Sequence, residues 1–480
     1  MHDGGGATNP IKIFANIFIS FVGAGGLGLP YAFRTAGILE GVLILGFVSI
    51  VSVKAMLMLI DCKYKLEERL DVRRKFKIVS KEKEDDVEGK ELLKDVDGMS
   101  GEALTQNGGA SGQQRKNSDD SAGAKNEIDY GDVGFYALGS KGKVIVDFSI
   151  VISQVGFSCA YLIFISSNLV TFVPGLSKHG WIALMMAPLT LLCLLRHLNR
   201  LAVFSLFADF ANIFAYSVVF WFDFEHVQNV RIHPKQMSLV GFPFFLGIAF
   251  YCYEGAGMIL ALESSVLPTK RHMFRKIFIF ALIIVTTLYI SFGVCGYLSF
   301  GPSTESIITL NLPEGIVPEL VKSCLCFSLF FTYPVMMFPV VITLERRLMH
   351  DKHKSTFYGN ILRSGMVMVT GLVVILIPNI ATLMALIGAT CCTLLAFVLP
   401  GIFHMRIFKE SLTRRQLAFD IFLIVMGIIA ACFGTWDALK RLFPGLVPEN
   451  LISLGTTSDA PMSTGDLQPI LGLMNGTADI

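Results

Sequence analysis

Charge is what this chain has least of. Only 16% of its 480 residues are Asp, Glu, Lys or Arg, where a soluble domain carries about a quarter. Hydrophobic residues make up 53% and the mean hydropathy is +0.60, a composition that reads as an integral membrane protein. An excess of one sign is missing too: the formal balance is +2, too even to indicate nucleic acid as a partner. Of the ten cysteines all but Cys62 lie in apolar segments, so no disulfide framework is expected. Cys391-Cys392 and the Cys324/Cys326 pair lack His or carboxylate neighbours at metal-ligand spacing, and no metal or cofactor is expected. The opening MHDGGGATNP has neither a basic run before an apolar core nor a small-residue cleavage site. The first apolar segment is therefore expected to act as an uncleaved signal, and Met1-His2 gives no myristoylation motif. No HExxH, GxSxG or paired intramembrane aspartates occur, which leaves a membrane enzyme without support.

What is present is a series of apolar runs, each near the ~20 residues a bilayer crossing requires. Eleven are read, at 11–32, 36–60, 143–172, 180–196, 200–221, 238–263, 274–299, 317–343, 359–379, 380–404 and 416–437. The fourth is short and carries Pro188; the ninth and tenth are parted only by Pro378-Asn379. With residues 1–10 cytosolic, the short inside loops hold fifteen Lys and Arg, among them Lys270, Arg271, Arg275, Arg346 and Arg363. The opposite side holds six, and the loop from Phe300 to Glu319 none, which orients the chain by the positive-inside rule. The tail 438–480 then lies outside the cytosol, with a glycosylation acceptor at Asn475-Gly476-Thr477.

Between the membrane segments 11–60 and 133–437, residues 61–132 mix charges and then turn Gly/Ser/Asn-rich (GGASGQQRKNSDDSAGAKN). Too few apolar residues are available for a core, so the segment reads as a disordered cytosolic insertion. Its basic start, with Lys63, Lys65, Arg73 and Arg74, reads as a positive-inside anchor able to touch anionic lipid. The rest is a place where a cytosolic partner could dock.

The most informative pattern is a glycine triplet that occurs twice at membrane depth. Gly23-Ala24-Gly25, followed by Gly26 and Pro30, interrupts the first segment; Gly255-Ala256-Gly257 interrupts the sixth. Glycine costs a helix about 1 kcal/mol per residue, and broken backbone is tolerated in a membrane only inside protein or along a cavity. Breaks at matching places in two halves point to the substrate site of a secondary transporter, here two inverted sets of five helices. Orphaned N–H ends suit a carboxylate and orphaned carbonyls suit an ammonium, the two ends of an α-amino acid. Glu254 precedes the second break. It could hold a transported proton, pair with a substrate ammonium, or cap the freed N–H groups. Tyr253 stands beside it, Glu263 near the cytosolic end of the same segment reads as a gate, and Asp209 lies in the fifth segment. Ser328 and Thr332 in the eighth segment could face the first break and bind Na⁺ or substrate, or simply bond their own backbone.

These residues resemble the amino acid/auxin permease family, in particular its proton-coupled amino acid transporters and plant vacuolar neutral amino acid exporters. The resemblance rests on Phe14-Ala15-Asn16 through GAGGLGLPYAF and on Phe244-Phe245 through YEGAGMILALESS. GYLSFG at Gly296–Gly301, ITLNLP at Ile308–Pro313, TYPVMMFPV at Thr332–Val340 and LPGIFH at Leu399–His404 extend it. It implies an all-α membrane protein of about eleven helices with a LeuT-type 5+5 inverted repeat, discontinuous at helices 1 and 6. It also implies transport of small neutral amino acids, often driven by protons, in a vacuole-like or plasma membrane. Substrate-binding positions map onto Gly23, Ala24, Gly25 and Gly26 and onto Glu254, Gly255, Ala256 and Gly257. Two departures stand out: the family usually has a bulkier aliphatic residue where Gly26 stands, and the membrane histidine near helix 2 of the animal proton-coupled members is missing. Glu254 is left as the candidate for proton coupling. The alternative function on the same fold is an amino acid sensor signalling through its cytosolic segments.

Overall fold

A computed structural model describes residues 9–82, 128–172, 175–195, 202–227, 235–348, 356–377 and 379–443. It opens with α1 (Pro10–Phe21), a 3₁₀ turn (Ala24–Gly28) and α2 (Leu29–Ala36), then α3 (Ile38–Glu82). After the insertion come α4 (Tyr130–Leu138), α5 (Ser140–Phe172), α6 (Lys178–Cys193) and α7 (Ala202–Val227). A second broken pair follows, α8 (Phe242–Cys252) and α9 (Ile259–Ser264), then α10 (Arg271–Phe300), α11 (Ile316–Leu348) and α12 (Thr356–Leu376). The chain ends with α13 (Ile380–Ile387), two π-helical turns (Gly388–Cys392 and Leu394–Val398), α14 (Leu399–Ile407) and α15 (Arg414–Leu442). Among the described residues seven helices are long and apolar enough to cross a membrane, and α1 with α2, bent by 44°, raises the number to eight where the bent pair is counted as one span.

Helix ends follow local chemistry. Asn9 caps α1 through Ile11 N–H at 3.0 Å, with Pro10 at the first helical position. Asp129 and Asp132 form a reciprocal capping box at α4. Gly37, at φ 102, ends α2, and a Cβ there would lie 2.6 Å from the Gln236 backbone, so the turn into α3 needs glycine twice over. Asn379 caps α13 through Thr382 N–H at 3.1 Å, which starts a new helix where Pro378-Asn379 was expected to separate two segments.

The core is one apolar cluster running through α1–α3, α5, α8, α10, α11 and the α13–α14 region. α5 and α7 both pack on α11, α10 lies against α1, α2 and α7, and α8 lies against α13 and the first π turn. The last contact is backbone on backbone: a Cβ on Gly388 would collide with the Gly247 carbonyl. By its contacts the chain forms one unit to Ala438; a second, Leu439–Ile480, is described only through Phe443.

The boundaries expected for the insertion need correction at both ends. α3 does not stop near residue 60 but continues to Glu82, because 61–82 is rich in Lys, Glu, Leu and Arg, all good helix formers, with a Lys65–Glu68 pair at 2.8 Å one turn apart. Lys63 is no solvated anchor: its side chain is fully buried in an ion pair. At the far end α4 begins at Tyr130, whose ring is buried and whose hydroxyl donates to Leu395 O at 2.6 Å, so the folded part already includes residues before 133. Residues 83–127, the Asn475 acceptor and the side chains of Ala24 and Asp209 lie outside the described residues.

Candidate functional site

The two glycine breaks meet. α1 ends at Phe21, Val22 N–H closes the last turn onto Phe18 O at 2.9 Å, and Gly23 is extended at φ −112 and ψ −176. α8 ends at Cys252, and an irregular turn through Glu254–Met258 leads into α9. A Cβ on Gly255 would run into the Phe21 ring, and one on Gly25 would lie 3.1 Å from the Tyr251 ring and 3.6 Å from Cys252 Sγ. Each break thus packs on the helix preceding the other. Above Gly23 there is nothing within 4 Å, and at Gly257 only Glu254 Oε1 at 3.5 Å and Ile150 at 3.9 Å. Space opens beside Gly23 and Gly257, while Gly25 and Gly255 hold the breaks together.

The carbonyls freed by the first break are occupied. Tyr289 of α10 donates its hydroxyl to Phe21 O at 2.5 Å, and Tyr216 of α7 donates to Gly23 O at 2.9 Å. A side chain on Gly26 would fall on the Tyr216 hydroxyl and the Tyr289 ring. That accounts for glycine at a position where a bulkier residue was expected: the space belongs to two tyrosines. Neither was singled out from sequence. The available signal was a hydroxyl inside an apolar segment, which needs a partner when buried, but the partner lies 193 or 268 residues away.

The other predicted site residues separate into groups. Glu254 caps the second break: Oε1 accepts from Gly257 N–H at 3.2 Å, while Oε2 is buried with no partner. Ala256 is fully buried. Tyr253 is turned away, its hydroxyl donating to Thr286 Oγ1 at 2.8 Å, and Thr286 in turn bonds Ser49 at 2.6 Å. On α11, Thr332 donates to its own helix at Ser328 O, 2.9 Å, whereas the buried Ser328 hydroxyl has no partner. Gln154 Oε1 on α5 is likewise buried and unpartnered.

Glu263 is not at the break but in a separate buried cluster where α3, α9 and α10 converge. Its carboxylate accepts from Lys63 Nζ at 2.5 Å and from Tyr64 Oη at 2.7 Å, with Arg271 Nε at 3.2 Å. Lys63 also donates to Ser264 Oγ at 2.5 Å, and Arg275 grips Asp61 with contacts of 2.7 and 3.0 Å. A fork on a carboxylate is the stronger kind of pair and ties α10 to α3, while Lys63 and Tyr64 tie the end of α9 to α3. Among the described residues no group of three His, Cys, Asp or Glu is placed to hold a metal ion.

A bundle of apolar, membrane-length helices with two breaks meeting inside it defines a multi-pass integral membrane protein. The chain belongs to the family described as transmembrane amino acid transporter protein, which matches residues 6–82 and 114–440. Amino acid transporter AVT3C of Arabidopsis thaliana is 32% identical over 459 residues, covering 91% of this chain and 92% of that protein. Amino acid transporter ANT1 of the same organism is 32% identical over 457 residues, covering 91% and 93%. Amino acid transporter AVT1B, also of Arabidopsis thaliana, is 29% identical over 330 residues, covering 66% and 60%. The family is one of membrane transporters and not of enzymes.

Proposed function

We propose that this protein is a secondary carrier of small neutral amino acids, working by alternating access around the two facing breaks. The observation that carries the reading is the mutual packing of Gly255 on Phe21 and Gly25 on Tyr251, with open space at Gly23 and Gly257. A free α-amino acid has one carboxylate and one ammonium, and paired helix breaks offer N–H donors for the first and carbonyls for the second. Among the described residues the one ionisable carboxylate at the breaks, Glu254, has one oxygen committed to Gly257 N–H. Among the described residues no second charge stands there to match a charged substrate side chain, which favours neutral substrates. The tyrosine hydroxyls on Phe21 O and Gly23 O hold those carbonyls until the ammonium displaces them.

In this reading the chain has eleven spans, α1–α2 and α8–α9 being the broken members of two inverted sets of five. The Lys/Arg bias supports a cytosolic N-terminus. The free oxygen of Glu254 carries the coupling proton, and the Glu263–Lys63–Arg271 cluster is a gate on the cytosolic side. Purified protein in liposomes should take up labelled neutral amino acids, faster under an imposed inward proton gradient. Uptake indifferent to the gradient removes the proton from the reading. Binding without flux would replace the carrier with a sensor.

A further inference from the structure

Glu254 is not the only carboxyl buried without a full set of partners. Asp223, near the C-terminal end of α7, has a side chain with no exposed surface, and neither of its oxygens has a hydrogen-bond partner. No ion pair among the described residues includes it. Its surroundings are specific. From α10, Ser299 spends its hydroxyl on two backbone oxygens, those of Asp223 and Cys295, at 2.8 Å each, so it does not donate to the carboxyl. Gly296 on the same helix leaves the slot the carboxyl fills: a Cβ there would lie 3.4 Å from Asp223 Oδ2 and 2.7 Å from Pro30 Cγ of α2.

Among the described residues no cation pairs with it from the elements packed around it. On α10 the Cys295 thiol is a neighbour that brings no positive charge. On α2, Arg34 donates to Thr304 O at 2.9 Å and lies over the Tyr31 ring. On α11, the charges facing Lys322 are Glu319 and Glu314. On α7 itself, Glu225 is exposed and the Tyr216 hydroxyl is held by Gly23 O. An ionised carboxylate with no partner inside a membrane protein is costly enough that the group takes a proton instead.

We propose that Asp223 is a second proton-binding site, and that its protonation is what allows α2 to close against α10. The proposal rests on the carrier reading for its consequence and on the geometry alone for the proton. α2 is the half of the first span beyond the break and packs on α10, so any swing of α2 away from α10 uncovers the slot at Pro30 and Gly296. Water then solvates the carboxyl, which ionises. Closure returns it to the dry slot and takes up one proton from the water on that side; only an O–H bond forms. In the proposed orientation that side is non-cytosolic. Asp223 thus sets how readily the outer half closes, a role separate from the coupling proton on Glu254.

Two measurements test this. Infrared difference spectra of the wild-type protein against Asp223→Asn, at neutral pH in lipid nanodiscs, should show the carbonyl band of a protonated carboxylic acid lost in the variant. No such band overturns the proposal whether or not the protein transports. Should Asp223→Asn fail to fold, Asp223→Glu serves, since it should shift the same band; an unshifted spectrum counts against the assignment. In proteoliposomes at equal pH on both sides, wild-type exchange of a labelled neutral amino acid should fall several-fold as pH rises above neutrality. Asp223→Asn should show a smaller fall, keeping only the share that Glu254 contributes, and a variant that follows the wild-type profile overturns the gating role. Absence of any exchange by the wild type would instead strike the carrier reading, leaving the infrared result to decide the proton site.

Discussion

The hydroxyl of Tyr216 occupies the space that a side chain at residue 26 would fill, and from there it reaches Gly23 O at 2.9 Å. Glycine at 26 and tyrosine at 216 are therefore one device, in which the tyrosine on α7 completes a backbone that the helix break leaves unsatisfied.

That pairing makes a double-mutant prediction. Gly26→Ala alone forces a Cβ onto the Tyr216 hydroxyl and the Tyr289 ring, and overpacking of this kind costs about 1–3 kcal/mol. Uptake and thermal stability should both fall. Tyr216→Phe removes the colliding oxygen, so adding it to Gly26→Ala should recover part of the loss. A coupling energy of about 1 kcal/mol or more is expected from the cycle; strictly additive effects would separate the two residues.

The Lys63–Glu263 pair should behave as buried pairs do. Removing one partner leaves an uncompensated charge and costs about 3–5 kcal/mol, whereas replacing both with apolar residues is often neutral. Glu263→Gln or Lys63→Met should lower the melting temperature markedly, and the double replacement should recover most of it. Uptake by the stable double variant then reports on gating: unchanged rates would leave the cluster a structural fastening only.

Glu254→Gln keeps an oxygen able to accept from Gly257 N–H, the contact now at 3.2 Å, so folding should survive. The amide cannot release a proton, and gradient-driven accumulation should fall at least about tenfold while exchange without a gradient persists. Preserved accumulation would confine Glu254 to capping.

The glycine triplets were legible because composition acts locally: two or three glycines, with Pro30 after the first set, cannot continue a helix cheaply in any surroundings. The all-helical fold and the family were legible for the same reason, since apolar length and short motifs are properties of contiguous sequence. What stayed hidden depends on partners far along the chain. Lys63 reads as a solvated charge until Glu263, 200 residues on, is placed against it. Tyr216, Tyr289 and Asp223 look like ordinary members of apolar segments, and only the packing of α10 on α1, α2 and α7 gives two of them backbone carbonyls and leaves the third without a partner. The extra turns of α3 were masked by charge, which marks a solvated helix as readily as a loop.

The most direct test of the central claim is equilibrium binding of a labelled neutral amino acid to the wild type, Gly23→Val and Gly257→Val in nanodiscs. A first carbon added at either glycine meets nothing closer than 3.5 Å, so both variants should fold with nearly unchanged melting temperatures. If the space between the breaks is the binding site, both should lose affinity by about tenfold or more, at least about 1.4 kcal/mol. Wild-type affinity in both stable variants would contradict the account and place the substrate elsewhere.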